Sequence, residues 1–175
     1  MTEDFPIVIR KAEESELELL EREFSPGDVS RYHFQRFEEQ QKGKGIYLIA
    51  WHEDVPVGHL LVEWGGPQDQ TVATQIDVRG RAYLFAVETR GEYRRRGVAT
   101  KMVQEGEKLA REHGCEWTGL EVGRVSNPEA RKLYEKLGYK DWGLGELIVS
   151  CSYLRGDGQR YTEFEVAIYM DKKLF

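Results

Sequence analysis

Cysteine is scarce in this chain. Cys115 and Cys151 are the two it has in 175 residues, and they fall into neither a metal-binding nor a redox spacing. A disulfide-stapled secreted framework and a cysteine-ligated metal are therefore excluded, and a reducing, cytoplasmic setting is the expectation. Long apolar runs are missing too. The longest, Ile46 to Trp51, falls far short of the roughly 20 residues that cross a bilayer. The amino terminus opens on the acidic Met1-Thr2-Glu3-Asp4 with no apolar stretch of signal-peptide kind behind it, so the expectation is a soluble protein with no membrane partner. Positive charge is the minority sign. Lys and Arg number 25 against 31 Asp and Glu, a formal net charge of −6. That balance disfavours nucleic acid and anionic membrane surfaces, and mildly favours cationic partners such as amines. His33, His52, His59 and His113 show no paired spacing, so each reads as structural or exposed. No Ser/His/Asp or Cys/His arrangement is recognisable, which disfavours an acyl-enzyme route.

What remains is a chain with 40% hydrophobic residues, enough for one domain, 1–175, with a two- or three-layer core. Ile7 to Ile9 reads as a short strand leading to a helix near Glu13 to Phe24, with Leu17, Leu20 and Phe24 on one face. Ser25-Pro26-Gly27-Asp28 is a turn in which Asp28 caps a second helix over about 28–42. Ile46–Trp51 and Val57–Trp64 form a hairpin through Glu53-Asp54-Val55-Pro56. Gly65 to Arg79 reads as a loop without structure of its own, a length that is often functional. Ala82-Tyr83-Leu84-Phe85-Ala86-Val87 is a buried strand, followed by a helix whose Val98, Ala99, Met102, Val103, Gly106, Leu109 and Ala110 recur at three- and four-residue spacing. Glu116–Val122 is a further strand. A loop at 123–126 leads to a helix from Asn127-Pro128 to Leu137-Gly138, and strands over about 139–153 and 162–170 meet at the turn Arg155-Gly156-Asp157-Gly158. The order β-α-α-β-β-β-α-β-α-β-β predicts an α/β fold, a mixed and largely antiparallel sheet flanked by helices.

The stretch that organises the rest is Arg94-Arg95-Arg96-Gly97-Val98-Ala99-Thr100, a tight turn between the buried strand and its helix. Free N–H groups at a helix start, reinforced by the helix dipole, make an anion site, and phosphate is the expected anion. Gly97 lets backbone approach a ligand. A Walker loop would end in Gly-Lys-Ser/Thr, and a Rossmann fingerprint would carry three glycines where this turn has one. Against both stands the plain alternative of a strand–helix corner with a solvated basic turn.

Arg94-x-x-Gly97-x-Ala99 resembles the Arg/Gln-x-x-Gly-x-Gly/Ala signature of the GNAT superfamily, the acyl-CoA-dependent N-acetyltransferases. Asn127-Pro128-Glu129-Ala130 through Leu133-Tyr134 to Gly138-Tyr139 is similar to that family's second motif, and the element order matches its fold. The resemblance implies that acetyl-CoA is the acyl donor and that no metal is used. It implies that the backbone of Gly97, Val98, Ala99 and Thr100 holds the pyrophosphate, with Arg94, Arg95 and Arg96 adding charge. Val87 and Thr89 at the end of the central strand would offer backbone groups to the coenzyme, a bulge there would open the sheet for the pantetheine arm, and Asn127 and Ala130 would flank that arm. Tyr134 would be the acid that protonates the departing thiolate.

Several of these residues keep a second reading. Tyr134 also suits the buried face of an amphipathic helix, and an N-cap accounts for Asn127 without any ligand. Glu121 shares a strand face with Gly119, opposite to Leu120 and Val122. There it is either a base for the amine, partly buried with a raised pKa or facing a cleft, or a strand-end carboxylate in solvent. Glu88 has the wrong parity for the same face and is a weaker base, with water as a third relay. Tyr83 stands where some relatives carry a base, so that route looks missing. The acceptor is expected to be a primary amine of a small molecule or a peptide. A non-catalytic acyl-CoA sensor on the same fold is the alternative, and a homodimer is left open.

Overall fold

A computed structural model of the chain describes residues 5–25, 31–67, 69–124 and 127–175. The Ser25–Asp28 turn with its Asp28 cap and residues 125–126 of the expected loop lie wholly or partly outside them. Seven strands form one sheet in the order β1-β2-β3-β4-β5-β7-β6. They are β1 (Val8–Lys11), β2 (Gly45–His52), β3 (Val55–Trp64), β4 (Arg81–Thr89), β5 (Trp117–Gly123), β6 (Lys140–Leu154) and β7 (Arg160–Lys173). Every neighbouring pair is antiparallel except β4 and β5. The helices are α1 (Leu17–Phe24), α2 (Tyr32–Gln41), α3 (Gln70–Ala73), α4 (Val98–Glu112) and α5 (Pro128–Lys136). The mixed, largely antiparallel α/β architecture expected from the sequence is the one observed. No helix among the described residues is long and apolar enough to cross a membrane.

The two faces of the sheet carry separate cores because strand side chains alternate. On one face Leu60, Val62, Ala82, Leu84 and Leu120 pack against Met102, Val103 and Ala110 of α4. Gly106 lets α4 lie close there: a Cβ on it would meet the side chains of Leu60, Leu84 and Val62 at 3.1–3.3 Å. On the other face Tyr47, Ile49 and Leu61 pack under α1 and α2 with Leu17, Leu20 and Phe37.

Three local expectations are corrected. The helix expected over 13–24 begins as a 3-10 turn at Glu14–Glu16, and α1 proper starts at Leu17. The hairpin turn is confined to Glu53 and Asp54, since β3 already pairs at Val55. The 65–79 stretch is not structureless: Asp69 accepts hydrogen bonds from the N–H groups of Thr71 and Val72 and so caps the short α3. Val72 then packs on Tyr169 and Leu147. One turn of helix with a single apolar anchor leaves too little periodicity to read from sequence.

Candidate active site

Two features of β4 open the sheet. The first is a register shift: His59 pairs with Glu88 and Leu61 with Phe85, so Ala86 and Val87 stand opposite the single residue Leu60. This is a β-bulge, and Ala86 takes a φ of 55° to make it, a left-handed conformation that costs a non-glycine residue about 1–2 kcal/mol. The second is the end of the parallel pairing. β4 and β5 are matched only over Arg81–Tyr83 and Trp117–Gly119. Beyond that point β4 stays with β3 while β5 stays with β7, and the sheet divides into two arms.

The gap between the arms is a cleft of about 760 Å³ lined by Leu84–Val87, Glu121–Gly123, and Asn127, Ala130 and Tyr134 of α5. Facing backbone edges of two diverging strands can accept an added strand-like ligand. Tyr134 is 7% exposed, and burial pushes its phenol up to about 12, so it stays protonated across the working range. Asn127 is the N-cap of α5, its side chain accepting from the Ala130 N–H at 3.1 Å.

The arginine turn follows directly from the end of β4. Arg95 (φ 63°) and Gly97 (φ 80°) are both left-handed, and that alternation turns successive N–H groups toward one side. The first intrahelical bond runs from the Lys101 N–H to the Gly97 carbonyl, so the amides before Lys101 point out of the start of α4. Space beside Gly97 is open, with nothing within 4 Å of where a Cβ would stand. The Val98 side chain is 1% exposed and belongs to the core, so of the turn residues expected at a phosphate it can offer only its backbone. Arg94 reaches back to the Thr89 carbonyl at 3.3 Å, and Arg96 lies over Phe5 and Tyr93.

A second cleft, about 810 Å³, lies on the α2 side of the sheet between α2, the start of α3 and the β6–β7 hairpin. The two clefts share Tyr83, Phe85 and Glu121. Glu121 thus stands where they meet. Its carboxylate accepts a 2.7 Å hydrogen bond from the Tyr83 hydroxyl. Burial raises its pKa to about 7, the Tyr83 bond opposes that rise, and the charges of Asp69 and Glu63 add to it. Tyr83 itself is held well above its ordinary value by burial and by Glu121, so it remains a donor. Gly119 makes room for this arrangement: a Cβ there would fall 1.9 Å from the Tyr169 hydroxyl. The Tyr169 ring therefore lies across β5, where it carries Val72 and with it Asp69.

One expectation about β4 is overturned here, and one residue gains a partner. Tyr83, at the position where some relatives carry a base, donates its hydroxyl to Glu121. Glu88 does not face away from Tyr83. The extra residue of the bulge resets the alternation, and Glu88 takes a 3.1 Å bond from His59 on the α1–α2 face. His59, whose pKa is lowered by burial, sits edge-on to His33 at 5.1 Å, and His33 shares a 2.5 Å bond with the Tyr47 hydroxyl. Burial takes His33 down to about 2, so both histidines are neutral supports of α2, as their lack of paired spacing suggested. Glu88 lines neither cleft. Sequence reasoning also passed over Glu63, 8% exposed beside Tyr83 in the register. A lone glutamate in the otherwise apolar run His59-Leu60-Leu61-Val62-Glu63-Trp64 was the available signal.

The profile of the Acetyltransferase (GNAT) family matches residues 14–139. The chain belongs to that family. This GNAT chain is 30% identical over 113 residues to an N-alpha-acetyltransferase of Saccharolobus solfataricus, a match covering 62% of the chain and 65% of the relative, just under two thirds of that relative's length. Its fold is similar to the ribosomal-protein-S18-alanine N-acetyltransferase of Escherichia coli (TM-score 0.64, 20% identity, 97% and 94% of the two chains). It is also similar to NAA60 of Arabidopsis thaliana in complex with acetyl-CoA (TM-score 0.66, 18% identity, 96% and 98%). The family resemblance and fold class expected from the sequence are both borne out.

Proposed function

We propose that this GNAT chain transfers the acetyl group of acetyl-CoA to the α-amino group of a peptide or protein. One observation carries the reading: a half-buried carboxylate, Glu121, stands where the two clefts meet, bonded to the Tyr83 hydroxyl and sharing the strand-lined cleft with Tyr134. The names of the relatives support an N-terminal amine in particular.

The chain's features fit the coenzyme. The outward amides of the arginine turn and the open space at Gly97 suit a pyrophosphate held by backbone, with Arg94, Arg95 and Arg96 adding charge; Ala99 and Thr100 contribute amides of the first helical turn. The free edge of β4 past the bulge suits an extended amide-bearing arm, with Thr89, Asn127 and Ala130 beside it. When bound, acetyl-CoA would supply an activated thioester. The Val87 N–H, at the bulge, serves as donor to the thioester carbonyl. Tyr83 fixes one carboxylate oxygen of Glu121 and leaves the other for the acceptor. Glu121 takes the ammonium proton, directly or through one water, and Tyr134 gives a proton to the leaving thiolate. A coenzyme sensor would need neither Glu121 nor Tyr134. Residues 1–175 act as one unit in this reading, and a cytoplasmic setting fits the free, buried Cys115.

The test is product mapping. Given acetyl-CoA and peptides that carry both a free α-amine and an internal lysine, mass spectrometry should find acetyl on the α-amine. Acetyl on lysine alone, or no acetylated peptide, would reject the proposal.

A further inference from the structure

Most arginines in this acidic chain are matched to carboxylates. Arg81 meets Asp171 at 2.8 Å, Arg90 meets Glu23 and Glu92 at 3.1 and 2.9 Å, Arg124 meets Glu146 at 2.6 Å, and Arg131 meets Glu135 at 3.0 Å. Among the described residues, Arg36 and Arg160 have no such partner within the 4.0 Å limit of an ion pair. Both line the open cleft, Arg36 from α2 and Arg160 from the β6–β7 hairpin. Unpaired arginines elsewhere include Arg31, which lies over the Phe34 ring at 3.7 Å, and Arg94, Arg95 and Arg96 of the turn, where an anion is expected. In a chain with six more acidic than basic residues, a guanidinium left without a carboxylate at a cleft wall is a site reserved for an outside anion.

The cleft lining carries both signs. Glu121, Glu63 and Asp69 form one group, the last two acting on the first, and the two arginines come from α2 and from the β6–β7 hairpin. The acidic residues at the end of α2 do not cancel them: Glu38 and Glu39 are met by Lys42 at 3.8 and 3.3 Å, and Glu39 also by Lys44 at 3.5 Å. Glu88 and Glu21 both feel the charge of Arg36, but each has a closer partner. Glu88 is held by His59, and Glu21 accepts from the N–H groups of His33 and Phe34. Arg36 is held in place by aromatic faces, 5.1 Å from the Tyr32 ring centre and 5.7 Å from that of Phe85. Phe85 in turn lies 6.0 Å from Tyr83. An extended peptide advances about 3.3–3.4 Å per residue. With the α-amine at Glu121 and Tyr83, a side chain within the first three residues can therefore reach the arginines that line the same cleft.

We propose that the acceptor is a peptide with an acidic residue at its second or third position, whose carboxylate is bound by Arg36 of α2 and Arg160 of the β6–β7 hairpin. The inference rests on the peptide reading given above. It makes the substrate dipolar in the sense of the lining: ammonium at Glu121, carboxylate at the two arginines. A planar guanidinium offers a carboxylate two parallel N–H donors, so the contact selects for charge and for shape.

Peptides identical except for Asp, Ala or Lys at positions two and three test this in the wild-type protein. At low salt kcat/KM should fall in the order Asp, Ala, Lys, with about tenfold or more between the extremes. The spread should shrink as salt approaches about 1 M. In the double variant Arg36→Glu, Arg160→Glu the order should invert. If charge reversal unfolds the protein, Arg36→Gln with Arg160→Gln should bring the three values close together, with coenzyme affinity reporting that the fold is intact. Equal kcat/KM for all three peptides, or an Asp preference that persists in both double variants, overturns the inference while leaving peptide acetylation standing. Failure to acetylate any of them overturns the peptide reading as well.

Discussion

In the proposed mechanism the chemistry turns on one carboxylate and its surroundings. Glu121 can serve as a base only when ionised, and burial raises its pKa to about 7. Tyr83 matters because a hydroxyl donated at 2.7 Å fixes the carboxylate and keeps its pKa from rising further. Turnover should therefore climb through about pH 7 as Glu121 loses its proton. A second rise near pH 8 comes from the peptide α-amine, whose ordinary pKa is about 7.7–8.0. The two separate by substitution. In Glu121→Gln the lower limb should vanish and the amine limb remain, with activity at pH 7 down about a hundredfold or more and partly restored at higher pH. Tyr134→Phe should lower the plateau yet leave both limbs in place, because burial holds that phenol near 12, above the measured range. Rate profiles from pH 6 to 9 decide both points. A Glu121→Gln profile that superimposes on the parent would remove Glu121 from the mechanism, and an unchanged Tyr134→Phe plateau would leave Tyr134 as a packing residue.

At the scale of elements, the device is the sequence strand, bulge, turn and helix that runs from β4 into α4. The phosphate site proposed there is made of backbone, so side-chain charge should matter less than room and φ. Gly97 has a φ of 80° and open space beside it. A glutamate at that position meets two penalties, the left-handed strain and a negative charge against a pyrophosphate. Gly97→Glu should therefore lose coenzyme binding by at least about a hundredfold, measured by calorimetry on protein shown to be folded. Unchanged affinity would mean that the coenzyme lies elsewhere. This element also shows what sequence can and cannot carry. The turn was legible because glycine, arginines and a helical period are local signals. So were the alternating face of Glu121 and the Asn127 cap. The bulge was invisible to pattern reading, since Ala86 and Val87 look like ordinary strand residues, and a single inserted residue reverses every parity beyond it. That is why Glu88 was assigned the wrong face. The Tyr83–Glu121 bond was hidden for a different reason: it spans two strands paired over three residues, and only the tertiary register brings the side chains together.

The whole molecule is a sheet that divides at its one parallel pair, with a cleft on each side of the division and Glu121 between them. α4 closes one face over Leu60, Leu84 and Gly106, and α1 and α2 close the other through His33, Tyr47 and His59. The β6–β7 hairpin reaches past the end of β5 and lines both clefts through Val149 and Ser150. In the proposed reading donor and acceptor approach one carboxylate from different clefts. The acetyl group then passes directly from one substrate to the other, so both substrates must be present together. Two-substrate initial-rate kinetics tests this most directly, with acetyl-CoA varied at several fixed concentrations of a good peptide acceptor. The arrangement predicts double-reciprocal lines that intersect, the mark of a ternary complex. Parallel lines, with an acetylated protein recovered in the absence of acceptor, would mean that the group passes through the enzyme and would contradict direct transfer across the meeting point of the two clefts.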